Sequence, residues 1–264
     1  MLATLWSSPA LSARELVVTG AARALIAFMA FLALWWVGVR VLSVPSFLLP
    51  APDAVLARLV FLARAADLTG HALVTLSEIA TGFVLGAVAG CSAGMMFARR
   101  PVAERVASPF ILLIQTAPKI AIAPLLILWF GLGPGPKVVL VAIVTFFPVL
   151  AGAIAGTRLA PRGYGDLAQV LGLTSFQRAM RIDLPLALPP ILGGLRIATT
   201  QAVTAAVVGE LMGADKGLGY LLSAAQESSD AAAVLGIVLL LSLIGWAFHE
   251  LVRAAESSLL AWRA

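Results

Sequence analysis

The chain has 264 residues, 61% hydrophobic and 12% charged, with a formal net charge of +5 and a mean hydropathy of +1.02. A soluble domain carries about 25% charged residues, so a water-soluble enzyme built around one large core is excluded. Disorder, a coiled coil and a disulfide scaffold fall with the same figures. The basic balance does not mark a nucleic-acid binder, because the arginines are dispersed between apolar runs instead of clustering with aromatics. It fits the surplus of Lys and Arg in the cytoplasmic loops of a multi-spanning membrane protein. Cys91 is the single cysteine, and His71 and His249 lie far apart, so neither an internal disulfide nor a His/Cys metal site is expected.

A bilayer helix needs about 20 mostly apolar residues, and six stretches qualify. The first, 24–39, is bracketed by Arg23 and Arg40; it is longer than the h-region of a cleavable signal, and no small-x-small site follows it. A segment over 43–70 comes next, opened by Leu49-Pro50-Ala51-Pro52. Within it, residues 53–60 have helical spacing with one polar side, which predicts a short helix on the membrane surface. The second span, 79–98, is uncharged, and Gly86, Gly90 and Gly94 give it a small-residue face suited to close packing. The third, 106–129, is interrupted by Pro118-Lys119 and Pro124. The fourth covers 138–157, the fifth 186–212 with Arg196 inside it, and the sixth 231–248. The fold class is therefore an all-α membrane protein of about six transmembrane helices in a single transmembrane domain. No internal repeat is visible, which argues against an inverted-repeat secondary transporter.

With six spans both ends lie on one side, and the basic residues choose it. Placing the N-terminus inside puts Arg14, Arg23, Arg99, Arg100, Arg105, Arg158, Arg162, Arg178, Arg181, Arg253 and Arg263 in the cytoplasm. Arg40, Arg58, Arg64, Lys137 and Lys216 fall outside, so the balance is eleven against five and favours cytoplasmic N- and C-termini.

The longest inner loop, 158–185, has a legible local structure. Residues 166–171 suit a helix with Asp166 in its first turn, favourable at the positive end of the helix dipole. Gly172 ends that helix in a left-handed conformation. Thr174 or Ser175 then caps a second helix over 176–183, and Pro185 opens the next span. The product is a helix–turn–helix on the inner surface, either a partner-docking element or an ordinary amphipathic loop.

This loop resembles the signature of permease subunits of binding-protein-dependent ABC importers, E-A-A-x(3)-G-x(9)-I-x-L-P. The chain reads Asp166-Leu167-Ala168, three residues, Gly172, nine residues, then Ile182-Asp183-Leu184-Pro185. It departs in having Asp for Glu and Leu for the first Ala. Further stretches resemble the nitrate/sulfonate/taurine-type branch: residues 115–125 with Leu128-Trp129-Phe130-Gly131, Phe47-Leu48-Leu49-Pro50-Ala51-Pro52, Phe146-Phe147-Pro148, Gly194-Leu195-Arg196-Ile197, Gly209-Glu210-Leu211 and Gly217-Leu218-Gly219-Tyr220.

The resemblance implies an ABC importer type I permease-like fold in a bacterial inner (plasma) membrane. It also implies a second permease copy as homodimer partner, two ATP-binding subunits that hold ATP and Mg, and an extracytoplasmic substrate-binding protein. The cargo it implies is a sulfonate, taurine or nitrate-like anion, or a small heterocycle. On this resemblance Asp166, Leu167, Ala168, Gly172, Ile182, Leu184 and Pro185 couple to the ATPase, Leu171, Leu173 and Phe176 supply apolar docking contacts, and Gly172 serves where the turn packs closely. No cofactor is expected in this chain.

Ionisable residues inside spans are costly and face a bundle interior or a water cavity. Lys119, beside the break at Pro118, together with Gln115, Thr116, Arg196 and Glu210, is therefore a candidate pathway group. The competing expectation is structural: Lys119 or Arg196 pairs with Glu210 or a backbone carbonyl. The three lysines lie in no Gly-Lys-Ser/Thr motif, so this chain is not the ATPase. His-Glu-x-x-His is absent as well, and the Gly-x-Ser-x-Gly letters at 90–94 lie inside an uncharged apolar span and give no nucleophile elbow. The alternative function is a self-contained, ion-coupled secondary transporter using Lys119, Arg196 and Glu210.

Overall fold

The computed structural model describes residues 13–159 and 163–261; the side chain of Lys119, and residues Arg162 and Arg263, lie outside what is described. The described chain is helical. Helix α1 (Ala13–Val41) is followed by α2 (Pro52–Ala65), α3 (Leu68–Arg99), α4 (Pro101–Thr116), α5 (Lys119–Phe130), α6 (Pro134–Arg158), α7 (Gly163–Val170) and α8 (Ser175–Arg178). A π-helical turn, Ala179–Asp183, leads into α9 (Leu184–Leu211), and α10 (Leu218–Glu227) and α11 (Ala231–Leu259) complete the order.

Four segments are long and apolar enough to cross a membrane: Leu68–Arg99, Pro134–Arg158, Ser175–Leu211 and Ala231–Leu259. The third expected span is a broken pair, α4 and the Ala121–Phe130 part of α5, bent by 102°. The first expected span lies in α1 as a shorter apolar stretch, Leu25–Val41. The sequence expectation needs correcting in four places. Helix α3 begins at Leu68, well before 79, because its polar residues find partners at that end. The break between α4 and α5 falls at Ala117-Pro118, whereas Pro124 sits inside α5 without ending it. The expected surface helix extends to Ala65 and buries Val55 and Leu62. Helix α10 was not foreseen.

Helix α6 is the centre of the bundle, sandwiched between α3 and α9. Hydrocarbon solvent gives apolar helices no hydrophobic reason to associate, so contact depends on how closely their backbones approach. A Cβ placed on Gly86 would lie 2.4 Å from the Ala142 carbonyl oxygen, and on Gly90 2.5 Å from that of Phe146. The small-residue face expected in the second span is thus the seam between α3 and α6. On the other side of α6, Gly156 lies against Ala187, and Val149, Ala153, Ala187 and Ile191 form a closed apolar cluster. These glycines lock α3, α6 and α9 in register, which fixes what their ends can bring together.

Candidate functional site

At the end of the bundle carrying residues 158–185, the local chemistry builds a capped turn. The Gly172 N–H donates to Gln169 O at 3.0 Å and the Leu173 N–H to Ala168 O at 3.0 Å, a Schellman closure of α7 around Gly172 at φ +61°. Two residues on, the Thr174 hydroxyl accepts from the Gln177 N–H at 3.2 Å, while the Gln177 side-chain oxygen accepts from the Thr174 N–H at 2.9 Å. This reciprocal capping box satisfies the start of α8. Among the described residues nothing lies within 4 Å of a Cβ built on Gly172. The left-handed helix end expected there is present, and its positive φ strains any side chain. The second helix is also shorter than 176–183: it ends at Arg178 and passes through the π-helical turn into α9.

With its backbone satisfied internally, the turn leaves apolar side chains outward. Leu167 is 46%, Leu171 60% and Phe176 72% exposed, joined by Val170 at 85%. Asp166 is exposed, Ala168 is buried against the bundle, and Leu173, Ile182, Leu184 and Pro185 are half-buried. A cavity of about 400 Å³ lies behind α7, lined by Tyr164, Leu167, Leu171, Ile182 and Pro185 among others. The signature residues thus divide into an outward ridge and a supporting base. Sequence reading missed Val170, whose register on α7 places it beside Leu167 and Leu171 on that ridge. It also missed Asp183, the variable position of Ile-x-Leu-Pro. Asp183 is buried, with Arg99 Nε 2.9 Å from its Oδ2 and Arg99 Nη2 on the same oxygen.

The opposite end holds a buried polar network. Lys137, expected in an outer loop, is buried at the start of α6 with its Nζ 2.8 Å from Glu78 Oε1. The Glu210 carboxylate accepts from the Thr75 hydroxyl at 2.6 Å and from the Gly219 N–H at 2.6 Å. Thr75 accepts in turn from the Leu218 N–H at 2.9 Å, and His71 Nδ1 from the Gly217 N–H at 3.0 Å. Glu210 therefore anchors the start of α10 to α3.

Among the described pathway candidates, Gln115, Thr116, Arg196 and Glu210 each keep separate partners or surroundings, and the side chain of Lys119 lies outside the described residues. Arg196 pairs with Glu256 at 3.3 Å instead of with Glu210 or a carbonyl. Gln115 and Thr116 are exposed at the end of α4, where the Thr116 hydroxyl donates to Leu112 O at 2.9 Å. A cavity of about 450 Å³ lies next to the α4–α5 break, bounded by Pro118, Leu140 and Val144 and by Thr200, Gln201 and Thr204 of α9. The three polar α9 residues escaped sequence reading because nothing in a threonine-bearing span marks a cavity wall.

A helical bundle with a capped turn narrows the comparison with known proteins. Residues 82–258 match the family described as binding-protein-dependent transport system inner membrane component. The chain belongs to that family. It is 34% identical over 89% of its length to the formylaminopyrimidine transport permease ThiX of Halalkalibacterium halodurans, covering 94% of that protein. It is 33% identical over 90% to the riboflavin transport permease RibX of Chloroflexus aurantiacus, covering 89%. To the taurine transport permease TauC of Escherichia coli it is 29% identical over 88%, covering 86%. Among solved structures, the MetNI methionine ABC transporter in an inward-facing conformation aligns at TM-score 0.64 and 18% identity, over 73% of this chain and 95% of that one. The fold is thus that of an ABC importer permease. The chain is a multi-pass inner-membrane transport subunit and not an enzyme, of a family that works with ATP-binding subunits and a substrate-binding protein.

Proposed function

We propose that this chain forms, with a second copy of itself, the translocation pathway of an ATP-driven importer, and that its 158–185 loop docks on a separate ATPase subunit. Both termini and this loop lie in the cytoplasm. Two ATPase subunits bind ATP and Mg, and an extracytoplasmic binding protein delivers the cargo, a small anion or a small heterocycle. The observation that carries the reading is the capped turn at Gly172 and Thr174, which presents Leu167, Val170, Leu171 and Phe176 as an exposed ridge. A turn that closes its backbone bonds at Gly172 and Thr174 and whose apolar neighbours face outward is suited to a partner's groove. Asp166 at the first turn of α7 adds a charge at its rim.

In this reading the pathway runs beside the α4–α5 break, where interrupted backbone is tolerated because it lines a cavity. Gln115, Thr116 and Lys119 lie next to that break and Arg196 deeper along α9; Glu210 supports the outer end. Ion-coupled secondary transport has less support. Arg196 and Glu210 stand about 21 Å apart along one helix, at 1.5 Å of rise per residue, and each is already engaged with another partner.

Purification from native membranes in mild detergent, with every co-purifying chain identified and counted, tests the reading. An ATP-binding subunit at one copy per permease, lost from a Gly172→Val variant, is the expected result. A chain that purifies alone and transports in liposomes without ATP overturns it.

A further inference from the structure

The two inner ends of α3 and α9 are joined by a contact that neither the signature nor the pathway uses. Arg99, the last residue of α3, places Nε 2.9 Å from Asp183 Oδ2 and also donates Nη2 to that oxygen. Its remaining nitrogen, Nη1, donates to the Ser175 carbonyl at 3.2 Å. Ser175 opens α8 and Asp183 closes the π-helical turn. One guanidinium therefore grips both ends of the segment between the docking ridge and α9. Arg178 approaches the same carboxylate at 3.7 Å, a looser contact.

Two properties make this grip mechanical and not merely adhesive. The pair is half-buried, the Asp183 side chain 4% and the Arg99 side chain 29% exposed, and opening it leaves the buried carboxylate without its counter-charge, which favours the closed pair while its surroundings move. The path it bypasses is compliant: a π-helical turn is a weak point in a helix, and it lies between α8 and an α9 that is fastened to α6 through Gly156 and Ala187. A push on the ridge would be absorbed by that turn unless something carried it elsewhere. Arg99 carries it to α3, whose far end holds Thr75 and Glu78 in the buried network.

We propose that Arg99 and Asp183 form a strut that delivers displacement of the 163–183 segment to α3, and that both are positioning residues for ATP-driven transport. The proposal rests on the importer reading above.

It is tested on the permease purified with its ATPase subunits in nanodiscs. In a Cys91→Ala background, Leu73→Cys, exposed on the outer turns of α3, carries an environment-sensitive fluorophore. The signal is its change on trapping with ATP and vanadate. Asp183→Asn and Arg99→Gln are expected to keep the ATPase subunits and their basal hydrolysis while the trapped-state change shrinks about tenfold, a typical coupling between distant sites. The double variant should do no further damage, because both residues serve one link, and Arg178→Gln should leave most of the change intact. An undiminished change in both single variants overturns the strut, and so does loss of the ATPase subunits from both, which would make the pair a docking element. A wild-type preparation without any ATPase subunit counts instead against the importer reading.

Discussion

The two ends of this bundle treat their polar and apolar groups in opposite ways. At the end away from the loop, charges that a membrane penalises are buried and partnered across elements: Lys137 with Glu78 joins α6 to α3, and Glu210 with Thr75 and Gly219 joins α9 to α3 and α10. At the loop end the turn closes its own backbone bonds at Gly172 and Leu173, and Val170, Leu171 and Phe176 are exposed among the described residues. Both ends tie helices together, the loop end through Arg99 and Asp183, but the loop end also leaves an apolar ridge exposed. The difference lies in that ridge, and α3 spans both ends.

The sharpest way to break the comparison is at the outer end. Lys137→Ala leaves Glu78 buried without its partner, and removing one member of a buried pair costs about 3–5 kcal/mol. We expect little folded protein, read as a large loss of the monodisperse fraction after heating in detergent. A double replacement, Lys137→Met with Glu78→Leu, should recover most of it, since a matched apolar pair removes both charges. Recovery of full stability by Lys137→Ala alone would show that the charge is not held where the geometry puts it.

A smaller effect is expected at Glu210. Changing it to Ala orphans the Gly219 N–H and leaves the Thr75 hydroxyl only its longer bond to His71 O at 3.3 Å, at about 1–3 kcal/mol for a buried group left unsatisfied. Because those bonds fasten α10 to α3, hydrogen exchange should rise over 217–222 and leave the α3–α6 seam protected. Uniformly raised exchange would mean that Glu210 supports the whole bundle and not its outer cap.

How far this division could be read beforehand depended on the range of the interactions. The loop was legible because its determinants are local: Gly172 and Thr174 act within five residues of themselves, and the Schellman and capping-box bonds formed where the residue types required. The seam was legible for a similar reason, since Gly86, Gly90 and Gly94 mark a face whatever lies opposite. The outer network was not, because it joins residues 59 and 135 positions apart in the chain. A charge such as Lys137, set between Pro136 and an apolar run, reads as the edge of a loop until α3 is seen beside it. Asp183 escaped for the same reason, its partner Arg99 being 84 residues away. At Gly172 the local part of the reading, a left-handed helix end, is present at φ +61°; close packing of the turn concerns a partner and is not made within the described chain.

Substitution at that glycine sharpens the comparison from the other side. Gly172→Val forces a β-branched residue into the left-handed region, at about 1–2 kcal/mol, yet meets no neighbour. The melting behaviour of the bundle should stay close to wild type while co-purifying ATPase falls several-fold. Gly172→Asn, which tolerates that region, should retain the partner. A variant that unfolds the bundle would place stability at the loop end and erase the distinction.

The mildest change acts one step further along. Thr174→Ala removes the hydroxyl that accepts from the Gln177 N–H, while Gln177 can still reach back to the residue-174 N–H. Loss of a cap costs about 1 kcal/mol, here confined to α8, which carries Phe176. Two expectations separate from this. If the ridge binds as a preformed surface, the ATPase subunit should dissociate about fivefold faster from the variant, since 1 kcal/mol of local order is lost from a site that must be ordered when bound. Thr174→Ser, which keeps an acceptor, should then dissociate at the wild-type rate. If α8 instead orders only on contact with its partner, Thr174→Ala should match wild type in dissociation and associate more slowly, with Thr174→Ser unchanged in both. Surface-immobilised complex in nanodiscs resolves the two rates, and with them whether the loop end is a surface waiting for its partner or one completed by it.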